Sequence, residues 1–120
     1  MRHALAALLA VHGIAHLPGF AVSWRLMTSA AIPYKTTAFG GAIEIGDTGA
    51  RLLGAGWLLM AVMLLALAIA TWANASWWRP AVMIAVTISA ILSAAGWPEA
   101  RLGLLANVAV VGVLFATPHS

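Results

Sequence analysis

The sequence predicts an all-α fold, a four-helix transmembrane bundle with a short β-hairpin lid between its first two helices. Three observations carry that prediction. Of the 120 residues, 63% are hydrophobic and 8% charged, and mean hydropathy is +0.99, which leaves too little polar surface to cover a water-soluble globule. Four apolar runs approach the length that crosses a bilayer, about 20 residues in a helix. Tryptophans and prolines mark the ends of those runs, where indoles favour the membrane interface and where a first-turn proline loses no hydrogen bond. The chain, residues 1–120, is read as a single integral membrane domain.

The first span runs from Ala4 to Trp24. Arg2 and the apolar run after it also fit the start of a signal peptide, but His12 and His16 interrupt the run, so the segment is read as a retained helix. Pro18 is expected to kink it, because its ring displaces the Ile14 carbonyl from its usual partner, and Gly13 and Gly19 flank the weak point. The second span runs from Gly49 to Trp72, the third from Pro80 to Ala95 and the fourth from Pro98 to Ala116. Trp24, Trp72, Trp77, Trp78 and Trp97 are interface anchors, whereas Trp57 lies inside the second span. The longest connection, residues 25–48, contains two β-prone arms, 34–39 and 42–45, around Gly40-Gly41, which is the chemistry of a two-residue hairpin turn. Asp47 or Thr48 is expected to cap the second helix.

A net charge of +3 arises from scattered basic residues that form no stripe, which argues against a nucleic-acid partner. With no cysteine, the chain has no disulfide, thiolate metal site or thiol redox chemistry of its own. Its most informative residues are His12 and His16, four apart and therefore on one face of a helix, about 6 Å from each other. An ionisable side chain in hydrocarbon is costly and reads by default as part of a functional site.

Counting spans places the 25–48 loop and the Gly96-Trp97-Pro98 turn on one membrane face. That face gathers all three acids, Glu44, Asp47 and Glu99, with Arg25, Lys35, Arg51 and Arg101. At a rise of about 1.5 Å per residue, His16, Asn107 and Trp57 fall roughly 9 to 12 Å below it, with His12 nearer the midplane. Thr87, Ser89 and Ser93 are placed to complete a polar lining. The candidate catalytic residues are thus His12, His16, Glu44, Asp47 and Glu99. The candidate ligand-binding residues are Trp57, Asn107, Arg51, Arg101, Ser89 and Ser93.

Each has a plainer reading beside the functional one. Asp47 and Arg51 are spaced for a cap and a helix-surface ion pair. Arg101 is placed to snorkel, Asn107 to hydrogen-bond between helices, and Ser89 and Ser93 to pack as small residues. Gly54, Gly56 and Gly103 permit close helix approach, and the histidines have backbone carbonyls within reach.

Two imidazoles at this spacing can share one metal ion with an acid oxygen, although no glutamate stands between them as in the hydrolase motif. They also suit proton transfer, either to a quinone-like or sterol-like lipid or along a transport path. The leading reading is therefore a redox-associated or lipid-modifying membrane protein with a bilayer and a hydrophobic small molecule as partners, and quinone or metal as cofactor candidates. A small proton-coupled transporter, homo-oligomeric because four helices enclose little, is the alternative. A structural subunit of a larger membrane complex is the third.

With four spans, a hairpin-bearing loop after the first, and Ala50-Arg51-Leu52-Leu53-Gly54 opening the second, the chain resembles the DoxX-like group of small bacterial membrane proteins. The resemblance covers the span pattern over most of the chain and leaves His12 and His16 outside the matched residues. It implies a bacterial inner membrane and an accessory or redox-associated subunit linked to quinone reactions.

Overall fold

The computed structural model describes residues 1–118. It holds helices α1 (Arg2–Ala15), α2 (Leu17–Ser23), α3 (Gly46–Trp72), α4 (Trp78–Ala95) and α5 (Arg101–Ala116), with strands β1 (Thr37–Ala38) and β2 (Ile43–Glu44) between α2 and α3. α1 and α2 are one interrupted span, so the molecule is the expected four-helix bundle with a hairpin. Three helices, Arg2–Ser23, α3 and α4, are long and apolar enough to cross a membrane, which marks an integral membrane protein, and α5 is a shorter apolar helix. Exposed Leu52, Leu59, Ile69, Ile84, Leu105 and Phe115 give the outer surface the apolar character of a lipid-facing wall.

The interruption falls at His16, two residues before Pro18. There the backbone amide turns to the Gly13 carbonyl at 3.1 Å, a tightened last turn. The helices close a ring in which α1 and α2 pack on α3, α3 on α4, α4 on α5 and α5 back on α1. Glycines set the closest approaches. A Cβ at Gly54 would stand 2.6 Å from that of Ser23, and one at Gly13 would stand 3.1 Å from the Ala61 carbonyl oxygen. Farthest from the hairpin, Leu5, Leu9, Met60, Leu64, Val82 and Val110 form a core with essentially no exposed surface. At that end the Arg79 guanidinium donates to the carbonyls of Thr117 and Pro118 (2.7 Å), just past the end of α5, and to that of Leu114 (3.2 Å), which also accepts the Thr117 amide.

Several local expectations are corrected. The hairpin pairs Thr37 with Glu44 and Ala38 with Ile43, so its loop is the four residues Phe39–Ala42 rather than the two glycines alone. Phe39 leaves the ladder because its amide donates to the Ala95 carbonyl at the end of α4 (2.9 Å), and Phe39, Gly40 and Gly41 all take positive φ to make the turn. α3 starts at Gly46 with no side-chain cap from Asp47 or Thr48. Instead Glu44 Oε1 accepts the Gly46 amide at 3.1 Å. α5 starts at Arg101 rather than Pro98, because residues 97–100 form the turn, closed by the Ala100 amide on the Gly96 carbonyl at 3.0 Å.

Candidate functional site

The helix break at His16 organises the site. The His16 ring lies back along its own helix, and Nδ1 donates to the His12 carbonyl at 2.7 Å. A carbonyl only accepts, so in the neutral ring Nε2 is bare and accepts from the Ser89 hydroxyl at 2.9 Å. Ser89 Oγ in turn lies 3.2 Å from His12 Nε2, which also donates to Asn107 Oδ1 at 2.7 Å. Four residues from α1, the α1–α2 junction, α4 and α5 thus share one buried hydrogen-bonded cluster, each between 0% and 4% exposed. The two imidazole centroids are 4.7 Å apart, edge to face, and the Trp57 ring lies 5.0 Å from that of His16. Trp57 fits because Gly19 and Gly96 are both close enough that an added Cβ would stand 3.1 Å from its indole.

Beside this cluster the bundle is hollow. A cavity of about 440 Å³ runs between the ends of α1 and α4, α2, and the starts of α3 and α5, beneath Ile32, Pro33 and Thr37 of the loop. His12, His16 and Trp57 border it, together with apolar Leu8, Leu53 and Ala106. Val11 and Leu102, which also border it, are exposed on the outer surface, so one side of the cavity meets the lipid-facing wall. At the loop end stand Lys35 and Glu99, where Lys35 Nζ donates to Glu99 Oε2 at 2.6 Å and to the Trp97 carbonyl at 3.3 Å. The hydrogen bond from Lys35 holds the Glu99 carboxyl below the usual carboxylate range.

The structure therefore brings His12, His16, Ser89, Asn107 and Trp57 together and sets Glu99 at the same cavity. The other candidates lie elsewhere. Glu44 is exposed on β2 and caps α3. Asp47 is exposed and pairs with Arg25 (3.0 Å) and the Tyr34 hydroxyl (2.5 Å), so its expected pair with Arg51 does not form. Arg51 lies over the Trp24 ring, 5.3 Å from its centroid, and Arg101 is exposed with Nη1 donating to the Pro98 carbonyl at 3.4 Å. None of these four borders the cavity. Ser93 is buried against Gly103 with no hydrogen-bond partner, and Thr87 is exposed and bonded to its own helix at Met83.

Asn107 meets His12 rather than lying level with His16, since a fixed rise per residue holds only along a straight helix and the first span breaks. Lys35 was absent from the candidate set although it is the cation at the mouth. Its signal was the gathering of acids on its membrane face.

As a metal centre the pair is poorly furnished. Three of its four ring nitrogens are engaged, and among the described residues no third His, Cys, Asp or Glu stands near enough to share an ion. Compared with protein-family models, curated proteins and solved structures, the chain matches none.

Proposed function

We propose that this protein binds a hydrophobic small molecule with an oxygen-bearing end in the cavity, and that His12 and His16 hold or move a proton at that end in redox-associated or lipid-modifying chemistry. The observation that carries the reading is the cavity itself: apolar walls, a pair of buried imidazoles at its border, and one side bordered by the lipid-exposed Val11 and Leu102. Such a site is concave and mostly apolar with a few convergent polar groups, the usual make-up of a small-molecule pocket. A quinone-like lipid is the occupant that the DoxX-like resemblance favours, and a bacterial inner membrane is the location it implies. A quinone-type ring exchanges protons with its electrons, and the imidazole cluster is the chain's own means of exchanging them.

Transport is less well supported by the same geometry. Beyond His12 the bundle is filled by Leu5, Leu9, Leu64 and Val110, and no titratable side chain among these core residues continues a path toward the far face.

The test is native mass spectrometry with lipid extraction on gently solubilised protein, wild type beside the His12→Ala, His16→Ala double variant. A hydrophobic oxygen-bearing molecule retained by wild type and depleted at least about tenfold in the variant is expected, a loss of about 1.4 kcal/mol or more. Identical spectra would overturn the reading.

A further inference from the structure

We infer that the cavity has a second polar anchor, Lys35 at its loop end, and that its guest carries an uncharged oxygen at each end of an apolar body. The inference rests on the cavity reading above and adds a second oxygen, opposite the one at the histidines.

The polar side chains of the cavity gather at two ends. His12 and His16, each 2% exposed, border the inner end, whereas Lys35 and Glu99 at the loop end keep side chains 29% and 22% exposed. The polar surface that a guest reaches most freely is therefore at the loop end. Between the two ends the wall is apolar, with Leu53, Trp57 and Ala106. Trp57 joins them. Its ring lies 5.0 Å from that of His16, and a Cβ at Gly96, at the head of the turn that carries Glu99, would stand 3.1 Å from the same indole. A guest lying along this indole has one end toward the imidazoles and the other toward the Lys35–Glu99 pair.

Lys35 is furnished to hold that outer end. An ammonium has three hydrogens and no acceptor, and two of them are used, toward Glu99 Oε2 at 2.6 Å and the Trp97 carbonyl at 3.3 Å. Among the described residues the third has no acceptor. The two bonds fix the ammonium on the turn, so a guest meets a donor already in place rather than one it must order. Glu99 neutralises the cation, which suits an uncharged oxygen over a carboxylate or phosphate. The carboxylate also accepts, so the pair serves a carbonyl through Lys35 and a hydroxyl through Glu99. Both oxidation states of a quinone-type ring thus keep their outer oxygen paired.

The test is calorimetric titration of the detergent-solubilised full chain, wild type beside Lys35→Met. The probes are a long-chain methyl ketone and diketones of the same chain length whose second carbonyl is moved along the chain one carbon at a time. At one spacing the diketone is expected to bind wild type about tenfold more tightly than the variant, as for a hydrogen bond to a charged donor, while the methyl ketone binds both proteins equally. Diketones that never distinguish the two proteins overturn the inference and leave the cavity reading intact. Binding of no probe overturns both. An equal loss of methyl ketone and diketone shows that one oxygen is held rather than two, and overturns the inference as well. Lys35→Arg keeps N–H donors at this place and is expected to recover part of the diketone affinity, whereas an arginine variant as weak as Lys35→Met overturns the donor role. A carboxylate of the same chain length that loses more than the diketone in Lys35→Met reveals an anion site and overturns the assignment to an uncharged oxygen.

Discussion

The two halves of the bundle are built from the same four spans and differ in what fills them. Away from the hairpin, Leu5, Leu9, Met60, Leu64, Val82 and Val110 pack together with at most 2% of their surface exposed. On the hairpin side, Ala15, Gly19, Ala50, Ala95, Gly103 and Ala106 occupy the corresponding inward positions, and a cavity of about 440 Å³ remains. Side-chain volume rather than backbone course makes the site. The histidine cluster stands where the two regimes meet, close enough to solid packing to be held and close enough to open space to be used. The packed half also supplies the stability that a hollow half lacks.

The contrast is broken most sharply by truncation. Leu64→Ala is expected to cost about 2 to 5 kcal/mol in denaturant unfolding followed in detergent, whereas Leu53→Ala, at the cavity wall, is expected to cost under about 1 kcal/mol, because little packing surrounds it. Comparable losses at both positions would show that the halves are not packed differently. Next in size, Gly54→Ala is expected to lose about 1 to 3 kcal/mol through overpacking against Ser23 and Trp24, read as a lowered unfolding midpoint. Ala106→Phe sharpens the comparison from the other side. Filling the cavity is expected to abolish retention of a hydrophobic molecule while shifting stability by no more than about 1 kcal/mol. Unchanged retention would place the guest elsewhere.

The smallest expected effect is acid-dependent. Because the Lys35 hydrogen bond depresses the folded Glu99 value, the pair stabilises the protein above the ordinary carboxylate range, and the contribution is lost as pH falls through the depressed value. The loss is under about 1 kcal/mol for a partly exposed pair. Lys35→Ala should flatten that part of a stability-against-pH curve, and an unaltered slope would remove Glu99 from its cause.

How much of this was readable in the sequence follows from which interactions are local. Spans, the break near Pro18 and a hairpin about Gly40-Gly41 all rest on composition or on residues a few places apart, and all three features are present. Of the five tryptophans expected to anchor at the interface, Trp78 is instead buried in the core, because the same end-of-helix position also faces α3 and α5 neighbours that composition does not reveal. Asp47 was assigned to Arg51 by spacing, yet its partners are Arg25 and Tyr34, in a segment with no periodicity to place them. Ser89 and Ser93 share one helix face and are equivalent by pattern, so only the height of His16 separates the bonded serine from the unpartnered one. The cavity was illegible for a related reason. Alanine is frequent on every face of these helices, and which alanines look inward depends on the rotation each helix adopts in the ring.

The amide of Phe39, bonded to the last carbonyl of α4, carries a mechanical consequence. A helix ends in carbonyls that its own amides cannot reach, and here the hairpin supplies the missing donor. Lifting the hairpin would strip that terminus and part Lys35 from Glu99 in the same movement. The hairpin is therefore a collar riveted to α4 rather than a door, and slow amide exchange at Phe39 should report it. Traffic of any guest falls to the flank beside Val11 and Leu102, so its rate should follow the fluidity of the surrounding bilayer.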